Sequence, residues 1–142
     1  MIYELIESVL DELGYDNVQD TPIAELQSGA ESLFVYTAGD TLSNTFIMGK
    51  PIVDMEQMFK IYMVTSDLYA DTMEDNETTI TLLEVFNKIK SKLPKQTSNS
   101  TGSYYITDIT DPHIQFSGTN EQSQRIAELH FRAIWSYNYA NL

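Results

Sequence analysis

The run from Arg125 to Tyr139 (RIAELHFRAIWSYNY) constrains the fold more than any other stretch of the chain. From Ala127 on, its odd positions are Ala127, Leu129, Phe131, Ala133, Trp135, Tyr137 and Tyr139, while the even ones carry Glu128, His130, Arg132, Ser136 and Asn138, interrupted only by Ile126 and Ile134. A period of two sustained over this length specifies a β-strand with one dry face and one wetter face. At ~3.3 Å per residue it reaches roughly 45 Å, where strands usually span ~17–20 Å. Such a strand is either bent by a bulge or runs past its own domain onto another surface. In both cases it needs partner strands.

Three further regions supply them. Ser32 to Thr37 (SLFVYT) is aromatic and β-branched and meets a turn signal at Ala38-Gly39-Asp40, after which Leu42 to Lys50 alternates loosely and stops at Gly49. Ile52 to Thr65 (IVDMEQMFKIYMVT) is apolar on both faces, with Phe59, Ile61 and Met63 on one and Met58, Tyr62 and Val64 on the other. That pattern fits a central strand, or one covered by another chain, with Pro51 at its start or on an edge. Tyr104 to Thr110 and His113 to Ser117 read as two strands separated by an Asp111-Pro112 turn, and Gly118-Thr119-Asn120 turns again before the last strand.

Two helices complete the pattern. In Ile2 to Leu13, the residues Ile2, Leu5, Ile6, Val9, Leu10 and Leu13 share a face opposite Glu4, Glu7, Asp11 and Glu12, with Gly14 placed as the left-handed stop. The second helix is capped by Asp75 or Asn76 and runs to Leu93, where Pro94 ends it. Leu82, Phe86, Ile89 and Leu93 form its stripe, widened by Ile80, Leu83 and Val85; acids at its start and Lys88, Lys90 and Lys92 at its end match the helix dipole. Asp16 to Ser28 reads as a polar connection, with room for a helical turn around Ile23 to Leu26. Asp67 to Glu74 and Lys95 to Ser103 read as loops, the latter flexible. The segments Ala38 to Lys50 and Pro94 to Ser103 are expected to order only on assembly. The expected architecture is a single α+β domain over residues 1–142: a mostly antiparallel sheet with two main helices, N-terminal and Asp75–Leu93, packed on one face.

Charge limits what such a domain can bind. The 142 residues carry 21 acidic and 8 basic side chains, a formal net charge of −13, and residues 1–49 contain no Lys or Arg. A chain of this kind gains nothing by neutralising phosphates, which argues against sequence-reading nucleic-acid binding. The charge serves solubility, or a surface past which a polyanion must slide without sticking. No run is long and apolar enough for a membrane span, Glu4 and Glu7 stand where a leader would be basic, and no membrane partner is expected. With no cysteine in the sequence, disulfides and thiolate chemistry are excluded.

Catalytic motifs are lacking as well. Neither His113 nor His130 accompanies a nucleophile motif, and His130, between Glu128 and Arg132, reads as part of a cross-strand polar ladder. Asp108, Asp111 and His113 offer hard-metal donor types, but Asp111-Pro112 is equally a plain turn. The DTMEDNE run (Asp71 to Glu77) fails the calcium-loop template, and there is no glycine-rich phosphate cradle. The expectation is therefore a non-enzyme without catalytic residues, cofactor or metal.

The order and pattern of the segments TITLLEVFNKIKSKL (Thr79 to Leu93), YYITDITDP (Tyr104 to Pro112) and GTNEQSQRIAELHFRAIWSYN (Gly118 to Asn138) resemble the tail terminator proteins of long-tailed bacteriophages. Two departures from that family are the strongly acidic N-terminal third and the AGDTLSNTFIMGKP segment (Ala38 to Pro51). The resemblance implies a homo-oligomeric ring, commonly a hexamer, that caps the tail tube and joins it to the head completion (stopper) protein. The protein would be assembled in the host cytoplasm and found in the virion. DNA would pass through an acidic lumen without specific binding. Leu42, Phe46, Ile47, Trp135, Tyr137 and Tyr139 are the expected subunit or tube contacts. Competing readings are a head-closure or neck adaptor, a tail tube protein, and a soluble α+β binding module outside any phage.

Overall fold

The computed structural model describes residues 2–21, 32–46, 52–65, 75–99, 102–119 and 125–138. Two helices and six strands follow in the order α1 (Ile2–Glu12), β1 (Asp16–Gln19), β2 (Ser32–Phe46), β3 (Ile52–Thr65), α2 (Asp75–Ser91), β4 (Lys95–Asn99), β5 (Gly102–Thr119) and β6 (Arg125–Asn138). They build one α+β sheet structure of strand order β1-β2-β3-β6-β5-β4. All neighbouring strands are antiparallel except β1 and β2, which are parallel.

The centre is the ribbon of β3 and β6. Ile52 to Thr65 pair with Asn138 to Arg125 across the full 14 residues of each strand without a register shift. The long final strand is thus not bent by a bulge of its own. Instead the irregularities fall on its flanks: β2 shifts register between Ala38 and Thr41 and between Thr41 and Ser43, and β5 shifts at three places. One extra residue on the flanking strand accommodates the twist that a straight central ribbon accumulates.

On one face, alternation brings Phe59, Ile61 and Met63 of β3 beside Ala127, Leu129, Phe131 and Ala133 of β6, with Phe34 and Tyr36 of β2 and Ile106 and Ile109 of β5. Both helices close over this face. α1 contributes Ile2, Leu5, Ile6, Val9 and Leu10, and α2 contributes Leu82, Val85, Phe86 and Ile89. Ile80 and Leu83 do not widen the α2 stripe as expected; they are exposed, at 54% and 37%, because the helix turns that flank to solvent. Phe131 lies at the middle of the core, its ring 6.1 Å from Phe59 and 5.9 Å from Phe86. On the opposite face a smaller cluster gathers Leu33, Val35 and Val64, with Val18 and Tyr62 against it.

The helix ends are fixed by local chemistry. Gly14 has φ +81°. The Tyr15 N–H reaches the Leu10 carbonyl at 2.9 Å and the Gly14 N–H the Asp11 carbonyl at 3.0 Å, the paired bonds of a Schellman stop. At the same level, Glu12 receives Lys92 at 2.9 Å and Lys88 at 3.2 Å, tying the C-terminal ends of α1 and α2 together. The hydrogen bonds from Lys92 and then Lys88 hold the Glu12 carboxyl below its usual range. Lys90 crosses to β5, donating to the Ile109 carbonyl at 3.1 Å and pairing with Asp108 at 3.5 Å.

Four expectations are corrected. β1 lies within the stretch read as a polar connection; it is only four residues long, and Val18 is its one apolar side chain. Ala38-Gly39-Asp40 is not a turn, because the bulges let β2 run on to Phe46 as a single strand. Lys95 to Asn99 is not loop: it pairs with Gly102 to Ile106 as an edge strand, held by backbone bonds and needing no apolar face. Asp111-Pro112 does not separate two strands, since Asp111 takes φ +56° inside a bulge of β5 and the strand continues to Thr119. The helical turn around Ile23 to Leu26, the stop at Gly49, and the Asp67–Glu74 loop lie outside the described residues.

Replacing Phe131 by Ala is expected to cost about 3–5 kcal/mol, the usual range for a buried aromatic. Urea unfolding measures this directly, and a loss below about 1 kcal/mol would show that Phe131 is not the packing centre.

Candidate assembly surface

The helix-covered core ends at Ile106 and Ala133, with Trp135 packed part-buried against its rim. β3 and β6 continue beyond it. Val53 pairs with Tyr137, which pairs in turn with Tyr104, and Met55 pairs with Trp135, which pairs in turn with Ile106. The Tyr104 ring lies 4.6 Å from Tyr137 and 5.8 Å from Trp135. Gly102 permits this packing: a Cβ there would stand 2.4 Å from the Asn138 carbonyl oxygen and 2.8 Å from the Tyr137 hydroxyl. The indole N–H of Trp135 is buried and has no hydrogen-bond partner among the described residues.

The expected contact residues divide accordingly. Trp135 and Tyr137 come together in this aromatic row, with Tyr104 as a member the sequence reading did not select; its place opposite Tyr137 follows only once the β5–β6 register is known. Leu42 stands apart, 50% exposed in the bulge of β2 between Thr41 and Ser43. The backbone of Phe46 ends β2 opposite Val53. Ile47 and Tyr139 lie outside the described residues.

The other face of the ribbon is polar and charged. Lys60, His130 and His113 stand opposite one another on β3, β6 and β5, and the two imidazole rings are 6.4 Å apart. Glu128 lies 3.8 Å from His130 Nε2. Burial pushes the His130 pKa below its ordinary value, aided by Lys60 and His113 and opposed by Glu128. Next along β6, Arg132 donates to Glu56 at 3.3 Å and to Asp111. A cleft of about 320 Å³ opens at the far end of the sheet, lined by Asp54, Glu56, Ile134 and Ser136 with Thr45 and Thr107.

This arrangement does not assemble the hard-metal alternative. Asp108 accepts from its neighbour's N–H and pairs with Lys90, Asp111 pairs with Arg132, and the His113 ring meets His130. Each donor is turned to a different partner, and among the described residues no group of three His, Cys, Asp or Glu is placed to hold a metal ion. Among the same residues no helix is long and apolar enough to cross a membrane. The chain matches no protein-family model and no curated protein.

Because His130 binds its proton more weakly folded than unfolded, the unfolded chain takes up more protons between the two pKa values. Stability is therefore full above the ordinary histidine range and falls as pH drops through it. In wild type the urea midpoint should decline from pH 7 toward pH 5, and His130→Gln should flatten that slope. An equal slope in both proteins would remove His130 as its source. Glu12, whose carboxyl is depressed, contributes its loss only at lower pH, in the carboxylate range.

Proposed function

We propose that this chain is a structural protein of a long-tailed bacteriophage that assembles into a ring, capping the tail tube and joining it to the head completion protein. The observation that carries this reading is a sheet longer than its helix layer. The β3–β6 ribbon runs past the helix-covered core into an aromatic row of Tyr104, Trp135 and Tyr137, half-buried and not covered by a helix among the described residues. A neighbouring subunit or a tube end would cover it. The segments resembling tail terminators are α2, the first half of β5, and β6 with the residues leading into it; of these, β5 and β6 carry Tyr104, Trp135 and Tyr137 of the extension.

Charge fits the role. The exposed flank of α1 carries Glu4, Glu7, Asp11 and Glu12, and most cations of the described residues are already engaged, Lys88 and Lys92 with Glu12, Lys90 with Asp108, and Arg132 with Glu56 and Asp111. Such a surface repels passing DNA, with a reach set by the ~8 Å screening length of physiological salt. The same charge opposes association, so assembly should strengthen as salt rises.

Light scattering across concentration and salt, followed by negative-stain imaging, tests the reading. Closed rings with a central hole, favoured at higher salt, are expected. Long tubes would transfer the chain to the tail tube proteins, and a monomer that also fails to bind purified tail tubes would end the proposal.

A further inference from the structure

The strand register leaves two backbone edges without a partner among the described residues, one on each side of the sheet. β1 covers β2 only from Leu33 to Tyr36. The Asp20 N–H then donates to the Tyr36 carbonyl at 3.1 Å, and Tyr3 Oη accepts the Ala38 N–H at 2.6 Å while donating to Asp20. Beyond this cap, Thr41 to Phe46 have no outer strand. On the other side β4 covers β5 only from Gly102 to Ile106. The Ile109 carbonyl is taken by Lys90, its N–H by the Asp108 carboxylate, and Pro112 has no N–H to offer. Beyond Pro112, His113 to Thr119 have no outer strand.

Proteins usually blunt free edges with charge, proline or a covering element. This chain does so up to the boundary of each segment and then stops. In a protein of net charge −13, neither TLSNTF (Thr41 to Phe46) nor HIQFSGT (His113 to Thr119) contains Asp, Glu, Lys, Arg or Pro. Each also holds one of the few large exposed apolar side chains, Leu42 at 50% and Phe116 at 43%.

We propose that these two edges are halves of one interface: Thr41–Phe46 of one copy pairs with His113–Thr119 of the next. The polarity is right. β2 and β5 run in opposite directions within the sheet, because each is antiparallel to one member of an antiparallel ribbon. Copies placed side by side in the same orientation therefore meet β5 to β2 as an antiparallel pair. The contact is heterologous, so it propagates head to tail into a ring or an open filament rather than closing as a dimer. Because the two segments sit at opposite ends of the ribbon, each copy is offset from the last by about eight residues, roughly 25 Å at ~3.3 Å per residue. Pairing would also bring the exposed Leu42 and Phe116 side chains beside a neighbouring strand, out of water. The inference deepens the ring reading and rests on it for its biological setting, while its test does not require a phage.

Leu42→Lys disables the β2 edge and Phe116→Lys the β5 edge. Each variant alone should run as a monomer where wild type is assembled. A 1:1 mixture should form a dimer and nothing larger, because one intact edge of each kind remains. Hydrogen exchange should find the backbone amides of residues 41–46 and 113–119 protected in wild-type assemblies and open in either variant; this readout holds even if Phe116→Lys lowers stability. Unchanged assembly mass in both variants, or a mixture that stays monomeric while both melt as wild type does, overturns the edge pairing and leaves a ring built on other surfaces standing. An open filament dissolved by either variant keeps the pairing and removes the ring.

Discussion

The uninterrupted pairing of β3 with β6 is the constraint on which the rest of the molecule depends. An antiparallel ladder of this length accumulates twist, and neither strand carries a bulge to relieve it. The relief is displaced outward. β2 and β5 each yield extra residues, at Ala38–Ser43 and at three points from Ile106 to Gly118. The flanking strands coil around a regular centre, and both helices pack over that centre's dry face. The core is correspondingly concentrated: the Phe131 ring lies between those of Phe59 on the ribbon and Phe86 on α2, near both.

What the sequence made legible follows from the same division. Period two is unambiguous where one face is buried, which makes β6 legible, while β3 and the inner half of β2 are legible as apolar and β-branched runs. The helices were readable because their stripes repeat at 3.6 and their stops are chemical, Gly14 for one and Pro94 for the other. Apart from Ile80 and Leu83, whose exposure is a matter of helix rotation, the misread segments are backbone events. A bulge at Ala38–Ser43 or at Asp111-Pro112 uses the same Gly, Asp and Pro residues that a turn would use, and no local signal separates the two. β4, with KQTSN, has no apolar face to betray it; its strand conformation comes from the edge of β5.

The surface was less legible than the core. Trp135 and Tyr137 were chosen for being aromatic on an overlong strand, and they do share a row. Tyr104 and Gly102 entered only through register, because contact across a sheet depends on which residue stands opposite, not on spacing along the chain. The role of Tyr3 was hidden for the same reason. Its hydroxyl caps the β2 edge between Ala38 and Asp20, a link from a helix residue to a strand edge 35 positions away. Burial raises its pKa, as it does for Tyr15, Tyr36 and Tyr62.

Edge protection and charge together set what an assembly of this chain can be. Repulsion between copies of net charge −13 grows with every subunit added, so association requires contacts where charge is absent and directional bonds are available. Backbone edges meet both conditions: their dipoles pair without a charged side chain, and their geometry fixes the angle between copies. Among the described residues the sheet is capped at two corners and uncovered at the other two, so under the proposed pairing it would offer one such contact on each side. Under that pairing the backbone would decide which copies meet, and ionic strength how strongly. On the proposed edge pairing, such a chain would stay dispersed while its own charge is unscreened and would join in one direction once salt screens it.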